Sequence, residues 1–261
     1  MNTRMEIEEA RDWEGAPLDC RLCENLELLA QGRCELGKAC VHDRYARRID
    51  RFFQWNPELA KHYLEHPYFE ARAVAAKHVE LFYLSRLVED PDETVRQTVA
   101  LRLPIHSRLF LKLKNDPHRE VRIRVAQRLG PDELGSMIRD PDYYVRQTVA
   151  QRLPVGLLVM MRQDPDAQVR KVVASRISGE ALFSLTHDKD ISVRLTAIDR
   201  LDEKRLALFS RDPDWQGRYH VALRVPPSGL TSFLEDPEPL VREMASHRLE
   251  DSTRPENPAL H

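Results

Sequence analysis

Apolar residues recur along this chain at a constant period, from about residue 66 to residue 250. In one unit they fall at Val95, Val99, Ala100 and Leu103, and neighbouring units repeat the same spacing. Apolar residues three to five positions apart lie on one face of an α-helix. Each unit therefore predicts one amphipathic helix of about three and a half turns.

An Asp-Pro pair marks the start of most units. The aspartates are Asp90, Asp116, Asp140, Asp164, Asp212 and Asp236, while His66-Pro67 and Asp188-Lys189 fill the two remaining slots. The step from one marker to the next is constant, except that the step from Asp90 to Asp116 is slightly longer. Aspartate is a favoured N-cap and proline suits the first helical position. We therefore predict that each helix begins at the proline, with Asp90 as an N-cap and Glu93 completing a capping box.

The last ten or so residues of each unit carry two apolar residues three apart, such as Leu134 with Met137 and Leu158 with Met161. So short a segment suits a second, 3₁₀-like helix. No strand-like alternation appears within the units. The pattern predicts an all-α solenoid of about eight 24-residue units, each with one α-helix and one short helix.

Two columns of arginine run through the units. The first comprises Arg72, Arg96, Arg122, Arg146, Arg170, Arg194, Arg218 and Arg242. It falls inside the apolar arc of the helix, so its members need charged partners, and we predict the aspartates of the same or the next unit. We favour this structural ladder over a phosphate-binding column. The second column, assigned to the dipole at the end of its own helix, comprises Arg102, Arg128, Arg152, Arg176, Arg200, Arg224 and Arg248.

Binding specificity is expected on the variable outer face of the helices. Tyr143 and Tyr144 are aromatic there, and so are Trp215 and Tyr219 in the unit where Gly217 replaces the usual valine. Exposed aromatic residues are enriched in binding hot spots. Local repacking around Gly217 is the alternative explanation of that unit.

The charge balance gives no general drive toward nucleic acid or anionic membranes, because 40 basic residues face 42 acidic ones and the net charge is -2. The start of the chain contains no uninterrupted apolar run. It predicts neither a secretory signal nor a membrane span. We expect a cytoplasmic protein without a membrane partner.

All four cysteines stand close together in the chain, as Cys20, Cys23, Cys34 and Cys40 in the spacing C-x2-C-x10-C-x5-C. Disulfides are not expected in a reducing compartment, and four converging thiolates predict a metal centre. Zinc and an iron–sulfur cluster both accept four cysteines. The loose second pair, with Gly32 and Gly37 giving the backbone room to approach, favours the bulkier cluster. His42 is expected to be a bystander rather than a ligand.

A basic and aromatic stretch follows the cysteines: Arg44, Arg47, Arg48 and Arg51, then Phe52, Phe53 and Trp55. The arginines are expected to balance the negative charge of a thiolate cluster. The aromatic residues would seal the cluster from water or dock the small domain on the first unit. Contact with nucleic acid is the alternative.

The cysteine segment followed by units of the type "DPD..VR..VA.RL" resembles the leucine-rich repeat variant proteins. The resemblance covers nearly the whole chain, is closest at residues 90–177 and 236–249, and weakens where His66, Lys189, Ile198 and Gly217 depart from the pattern. It implies alternating α and 3₁₀ helices in a right-handed superhelix and a [4Fe-4S] cluster. The implied ligands are Cys20, Cys23, Cys34 and Cys40.

We therefore predict an N-terminal cluster domain and cap over residues 1–65, a helical-repeat solenoid over 66–250 and a tail over 251–261. No catalytic motif is visible, so the chain is expected not to be an enzyme. The favoured function is a scaffold for an unidentified protein partner, with binding that the cluster could make redox-sensitive. The alternatives are an electron-transfer component that docks on a redox partner, a nucleic-acid-binding repeat protein, and a scaffold stabilised by Zn²⁺.

Overall fold

The computed structural model describes residues 10–253, and its long helices follow the predicted period. They are α1 (Leu26–Ala30), α2 (Ala46–Trp55), α3 (Phe69–His78), α4 (Glu93–Arg102), α5 (Arg108–Lys112), α6 (Arg119–Arg128), α7 (Pro131–Leu134), α8 (Tyr143–Arg152), α9 (Val155–Leu158), α10 (Ala167–Arg176), α11 (Gly179–Leu185), α12 (Ile191–Ile198), α13 (Glu203–Leu206), α14 (Trp215–Ala222) and α15 (Pro239–Thr253). The 3₁₀ helices are Cys20–Leu22, Pro57–Tyr63, Leu81–Leu87, Leu113–Asn115, Gly135–Met137, Val159–Met161, Ala207–Phe209 and Pro227–Phe233.

The predicted alternation of one long and one short helix is confirmed. Extended segments pair only at two isolated antiparallel bridges within the described part of the chain, Arg11 with Pro17 and Glu35 with Ala39. The fold class is therefore all-α. None of the helices in residues 10–253 is both long and apolar enough to cross a membrane.

The chain divides into two compact units, Met1–Glu133 and Leu134–His261. In the first, α2 packs on α3, α3 on α4 and α4 on α6. In the second, α8, α10, α12, α14 and α15 pack in chain order. The apolar positions of the repeat form the core of each unit, and the valines at the first of them are fully buried: Val95, Val121, Val145, Val169, Val193 and Val241.

The helices begin two residues later than predicted. Asp92 is the N-cap of α4 and accepts a hydrogen bond from Thr94 N at 2.8 Å. Asp90 instead accepts from Asp92 N at 2.9 Å, so Pro91 stands before the cap. The aspartate two residues after the marker aspartate caps α8, α10, α12 and α14 in the same way: Asp142, Asp166, Asp190 and Asp214. The cap was misplaced because the first aspartate is engaged elsewhere.

That first aspartate binds the buried arginine of the preceding repeat, which confirms the predicted ladder. Arg146 Nε and Nη2 donate to Asp164 at 2.7 and 3.0 Å, and its Nη1 donates to the carbonyls of Asp140 and Pro141. The same bidentate pairs are Arg72–Asp90 and Arg96–Asp116 in the first unit, and Arg170–Asp188, Arg194–Asp212 and Arg218–Asp236 in the second. The partner is the aspartate of the next repeat.

The second arginine column acts across repeats too, which corrects its assignment to its own helix. Arg176 Nη1 donates to Ala150 O at 2.6 Å and to Leu153 O at 2.9 Å, at the end of the preceding helix. The last carbonyls of a helix have no partner within it, so the arginine supplies one. Arg102, Arg128, Arg200, Arg224 and Arg248 reach back in the same way.

The predicted domain boundaries at residues 65 and 250 stay predictions. The 3₁₀ helix Pro57–Tyr63 packs on both α2 and α3, where a capping segment was expected. At the other end α15 continues to Thr253, so it includes the first residues of the predicted tail. The rest of that tail lies outside the described residues.

Candidate metal centre

The first two cysteines lie on one turn. Asp19 accepts from Arg21 N at 2.9 Å and so caps the 3₁₀ helix Cys20–Leu22. Cys23 N then donates to Cys20 O at 3.3 Å, which closes the turn around the two intervening residues. The Cys23 sulfur accepts from Asn25 N at 3.4 Å. The C-x2-C spacing therefore presents both thiols from a single turn.

Gly32 ends helix α1 and returns the chain toward these thiols. It adopts the left-handed conformation (φ +70°), with Gly32 N donating to Leu29 O at 3.1 Å and Arg33 N to Leu28 O at 2.8 Å. This pair of bonds is a Schellman motif, which favours glycine. Nothing lies within 4 Å of the position that a Cβ would take. The glycine is thus needed for its dihedral angle, and its predicted role in letting the backbone approach the centre stays a prediction.

A short hairpin places the other two cysteines side by side. Glu35 and Ala39 exchange two backbone hydrogen bonds, of 2.9 and 2.8 Å, and Gly37 has φ +74° in the turn between them. Cys34 and Cys40 are the next pair outward, which in an antiparallel ladder is a non-hydrogen-bonded pair with Cα atoms only about 4.5 Å apart. The C-x5-C spacing is therefore the consequence of a five-residue hairpin.

The four thiols interact with one another. Burial and the nearby Cys40 and Cys23 thiols raise the pKa of Cys20, and burial raises the pKa of Cys23. Cys34 and Cys40 share a hydrogen bond, which raises the pKa of Cys40 because that thiol keeps the shared proton. The same hydrogen bond lowers the pKa of Cys34. Cys20, Cys23 and Cys40 are therefore poor acids until a metal compensates their charge. Their chemistry therefore fits a cationic metal centre.

A cavity of about 300 Å³ opens beside the thiols and is lined by Cys20, Cys23, Cys40 and His42, together with Leu18, Asp19, Leu22, Glu24 and Leu36. Cys34 and Cys40 are buried, whereas Cys20 and Cys23 are half-buried. Three of the four sulfurs thus line the cavity, and that of Cys34 shares a hydrogen bond with Cys40. This set of donors fits a four-cysteine cluster. No three His, Cys, Asp or Glu side chains in residues 10–253 are arranged to hold a single metal ion. The assignment of the four ligands stays a prediction.

His42 lies in the cavity wall, where burial lowers its pKa. Its Nε2 is 3.7 Å from Glu24 Oε1. Glu24 also accepts from Tyr63 OH at 2.8 Å, and Asn25 Nδ2 donates to the same hydroxyl at 2.7 Å. Tyr63 and Asn25 were not singled out in the sequence, because their pairing depends on two segments that are far apart in the chain.

Helix α2 lies between the cysteine segment and the first repeat in the chain and contributes buried side chains to the core. Its Ile49, Phe52 and Phe53 are fully buried, and the Phe53 ring lies 6.0 Å from that of His78 on α3. The helix thus docks the cysteine segment on the first repeat, which was one of the two roles predicted for its aromatic residues. Asn56, just after α2, donates to Arg33 O at 2.8 Å and so holds the segment between the cysteine pairs.

The arginines of this segment also have local partners. Arg48 binds the fully buried Asp43 at 2.9 Å, and Arg51 donates to Lys38 O at 3.1 Å. Arg44 donates to Tyr45 OH at 3.0 Å, while Arg47 is exposed. A role in nucleic-acid contact therefore stays a prediction.

His66 joins the cysteine segment to the repeats. Its Nδ1 accepts from Tyr68 N at 3.1 Å, which reproduces the turn that aspartate makes in other repeats. Its ring lies 4.8 Å from Trp13 and 5.7 Å from His42. This departure from the repeat pattern thus replaces an arginine partner with aromatic contacts to the cysteine segment.

The aromatic residues flagged on the repeats are exposed to different degrees. Tyr143 and Tyr144 are 42% and 47% exposed and Trp215 is 37% exposed, whereas Tyr219 packs against the core. A Cβ at Gly217 would come within 2.4 Å of Asp212 Cγ. Local repacking around Gly217 is therefore confirmed, because the aspartate occupies the space of the usual valine.

Fold and site together define a helical-repeat protein whose first repeat carries a four-cysteine segment. Residues 10–62 match the family model described as LRV protein FeS4 cluster, and residues 143–166 match the model described as leucine rich repeat variant. A solved structure, "a leucine-rich repeat variant with a novel repetitive protein structural motif", is 42% identical with a TM-score of 0.83. The alignment covers 89% of this chain and 99% of that one.

The chain belongs to the leucine-rich repeat variant family, and its cofactor is an iron–sulfur cluster. It is also similar to an uncharacterized 27.7 kDa protein in the nifB 3′ region of Rhodobacter capsulatus, with 51% identity over 96 residues. That match covers 37% of this chain and 39% of the Rhodobacter protein. It therefore spans well under half of that relative.

Proposed function

We propose that this chain is a non-catalytic, cytoplasmic scaffold that binds a protein partner through its repeats and carries a [4Fe-4S] cluster on Cys20, Cys23, Cys34 and Cys40. The observation that carries the proposal is that the recurrent and the variable positions of each repeat have different roles. The recurrent arginines and aspartates bind one another or backbone carbonyls between repeats. The variable positions, Tyr143 and Tyr144 among them, are left exposed to contact a partner.

The protein's own groups would set the properties of the cluster. Backbone amides of Asn25 and His42 lie within hydrogen-bond reach of the Cys23 and Cys40 sulfurs. Hydrogen bonds to the sulfurs and the access of solvent are two of the factors that set the reduction potential of an iron–sulfur cluster. When bound, the cluster supplies one-electron redox chemistry. Helix α2 and the hairpin around Gly37 hold the ligands, and redox-sensitive binding would act through them.

Electron transfer to a docked partner is the second candidate, and one observation favours it. Leu22 stands between the first two cysteines and is 86% exposed, while Leu26 and Leu36 nearby are 46% and 45% exposed. Exposed apolar side chains around a cofactor cavity suit a transient protein contact. Nucleic-acid binding has weaker support, since the arginine columns are used within the repeats.

The ligand set is tested by anaerobic purification and analysis of iron, sulfide, zinc and the visible spectrum. We expect about four irons and four sulfides per chain, as for other Cys₄ clusters of this type. Cys34→Ser and Cys40→Ser should each lose most of the iron, while His42→Ala keeps it. Stoichiometric zinc without sulfide, or full iron in a cysteine variant, would contradict this ligand set.

The scaffold function is tested by crosslinking the intact, cluster-loaded chain in extract of the organism that encodes it. A partner should be captured saturably and displaced by untagged protein. Recovery should change between dithionite-reduced and oxidised protein if binding senses the cluster. If the partner oxidises the reduced protein within the lifetime of the complex, and Leu22→Glu slows this while Leu101→Glu does not, electron transfer replaces the scaffold function.

A further inference from the structure

A groove crosses three repeats of the second unit, along the turns at Asp140, Asp164 and Asp188 that precede the long helices. Two cavities of about 320 and 470 Å³ share Gln163, Asp164 and Pro165 in their walls. Arg146 lines the first cavity and Arg170 the second. Because both cavities contain the same repeat positions, the groove is a product of the stacking and advances by one repeat at a time.

Exposed cations border this groove. Arg139, Arg162 and Lys189 line it and are exposed. Its carboxylates are not available to balance them: Asp164 and Asp188 are bound by Arg146 and Arg170, and Asp140 is buried. The groove therefore has an excess of accessible positive charge, although the whole chain has a net charge of -2.

This charge is local to the second unit. The corresponding cavity of the first unit, of about 640 Å³, contains Glu89, Lys112 and Asn115, and Glu89 forms an ion pair with Lys112. Lys189 stands where the seven other repeats have proline. A lysine at that position is not required by the turn. The lysine thus adds a positive charge to the wall of the groove.

The floor of the groove offers hydrogen-bond donors at the same interval. A guanidinium group has five N–H groups. In Arg146 and Arg170, Nε and one N–H of Nη2 bind aspartate, and Nη1 binds two carbonyls. One Nη2 N–H of each arginine is left for a further acceptor, such as the carbonyl of a bound chain.

The spacing suits an extended polypeptide. Packed helices lie about 8–10 Å apart. Three residues of a polyproline II or β-like chain advance about 9–10 Å. Every third residue of an extended segment would therefore meet an equivalent position of the next repeat.

We propose that this groove binds an extended, acidic segment of a partner protein, whose Asp or Glu side chains face Arg139, Arg162 and Lys189. The assignment rests on the proposed scaffold function and names the chemistry of its partner. Peptide is favoured over nucleic acid because Met160, 64% exposed, and Met161 supply the apolar wall. No Phe, Tyr or Trp ring lines these two cavities to serve as a platform for base stacking.

The test is fluorescence anisotropy with the full, cluster-loaded chain and a labelled peptide of four Glu-Pro-Ala repeats. The comparison probes are four Lys-Pro-Ala repeats and a single-stranded DNA of twenty nucleotides. We expect saturable binding of the acidic peptide that weakens with salt, no binding of the basic peptide, and weaker binding of DNA. Tighter binding of the DNA, or equal binding of both peptides, would overturn the proposal.

A matched pair of double variants localises the binding. Arg162→Glu with Lys189→Glu should lower the affinity at least tenfold. Lys171→Glu with Lys204→Glu changes the net charge equally at exposed positions outside the groove and should change it less than twofold. Equal effects of the two pairs would refute the groove. If the captured partner still binds Arg162→Glu/Lys189→Glu, the scaffold function stands and the groove is wrong; if the intact chain captures no partner, both fail.

Discussion

At the scale of single residues, the two aspartates of each DPD motif have separate tasks. The first accepts the arginine of the preceding repeat and the amide two residues ahead, as Asp164 does with Arg146 and Asp166 N. The second caps the helix, as Asp166 does through Gln168 N. Sequence reasoning identified both residue types but gave the cap to the wrong aspartate. A single chain shows which residues could cap, and not which carboxylate a neighbouring repeat has already engaged.

This division predicts unequal effects of two similar substitutions. Asp166→Ala removes an N-cap and should lower the free energy of unfolding by about 1 kcal/mol. Asp164→Ala leaves the buried Arg146 guanidinium without its carboxylate and should cost about 3–5 kcal/mol. Chemical denaturation followed by circular dichroism measures both.

Arg162→Ala, at an exposed position of the neighbouring turn, is the control and should change stability little. An Asp166→Ala variant less stable than Asp164→Ala would reject the ladder as the larger contribution to stability.

At the scale of elements, the cysteine segment shows how far spacing alone can be interpreted. The C-x2-C pair predicted a shared turn, and the structure has one. The C-x5-C pair seemed loose, because nothing in the sequence shows that Glu35 and Ala39 bond to each other. Gly37 was the available signal, since a glycine centred between two cysteines is typical of a tight hairpin turn.

The hairpin makes the cluster dependent on one dihedral angle. Gly37→Ala places a side chain at φ +74°, which costs about 1–2 kcal/mol for an L-residue even though nothing crowds the site. We expect less iron per chain and faster loss of the visible spectrum in air. Gly135→Ala is the matched control, because that glycine also has open space but no positive φ. Equal iron content in both variants would show that the hairpin does not hold the ligands.

At the scale of the whole molecule, the period of the sequence was sufficient to predict the fold. The long helices, the buried valines and the short second helices all follow from positions that recur once in every repeat. The reach of the arginines was not predictable in the same way. The arginines of both columns bind groups that lie 18 to 28 residues away in the chain. The helical wheel of one repeat does not show which atoms of the neighbouring repeat an arginine can reach.

The ladder predicts a loss of stability in acid. The Arg218 hydrogen bond holds the pKa of Asp236 below its usual value, and the pKa of Asp188 is lowered too. A carboxylate with a depressed folded pKa contributes stability that is complete above its unfolded value of about 3.9 and is lost as pH falls through the folded one. The free energy of unfolding should therefore decline steadily below about pH 5.

At neutral pH, Arg218→Gln should have a lower free energy of unfolding than the parent. The difference between the two should shrink as the pH falls and the Asp236 carboxylate becomes protonated. Urea denaturation across this range measures the difference. Arg162→Gln changes an exposed position outside the ladder. Its free energy of unfolding should change with pH in the same way as that of the parent. A gap between Arg218→Gln and the parent that widens in acid would contradict the ion-pair explanation.

The backward reach of the second arginine column gives the array a polarity. Each such arginine completes the helix before it, and the end of its own helix must be completed by the repeat that comes after. Helix α15, the last in the described part of the chain, runs for 15 residues where its predecessors run for 8 to 10. A duplicated copy of residues 164–187 would carry its own arginine of the second column, which would bind the end of the helix before it. Such arrays could therefore be lengthened internally while both original ends are kept.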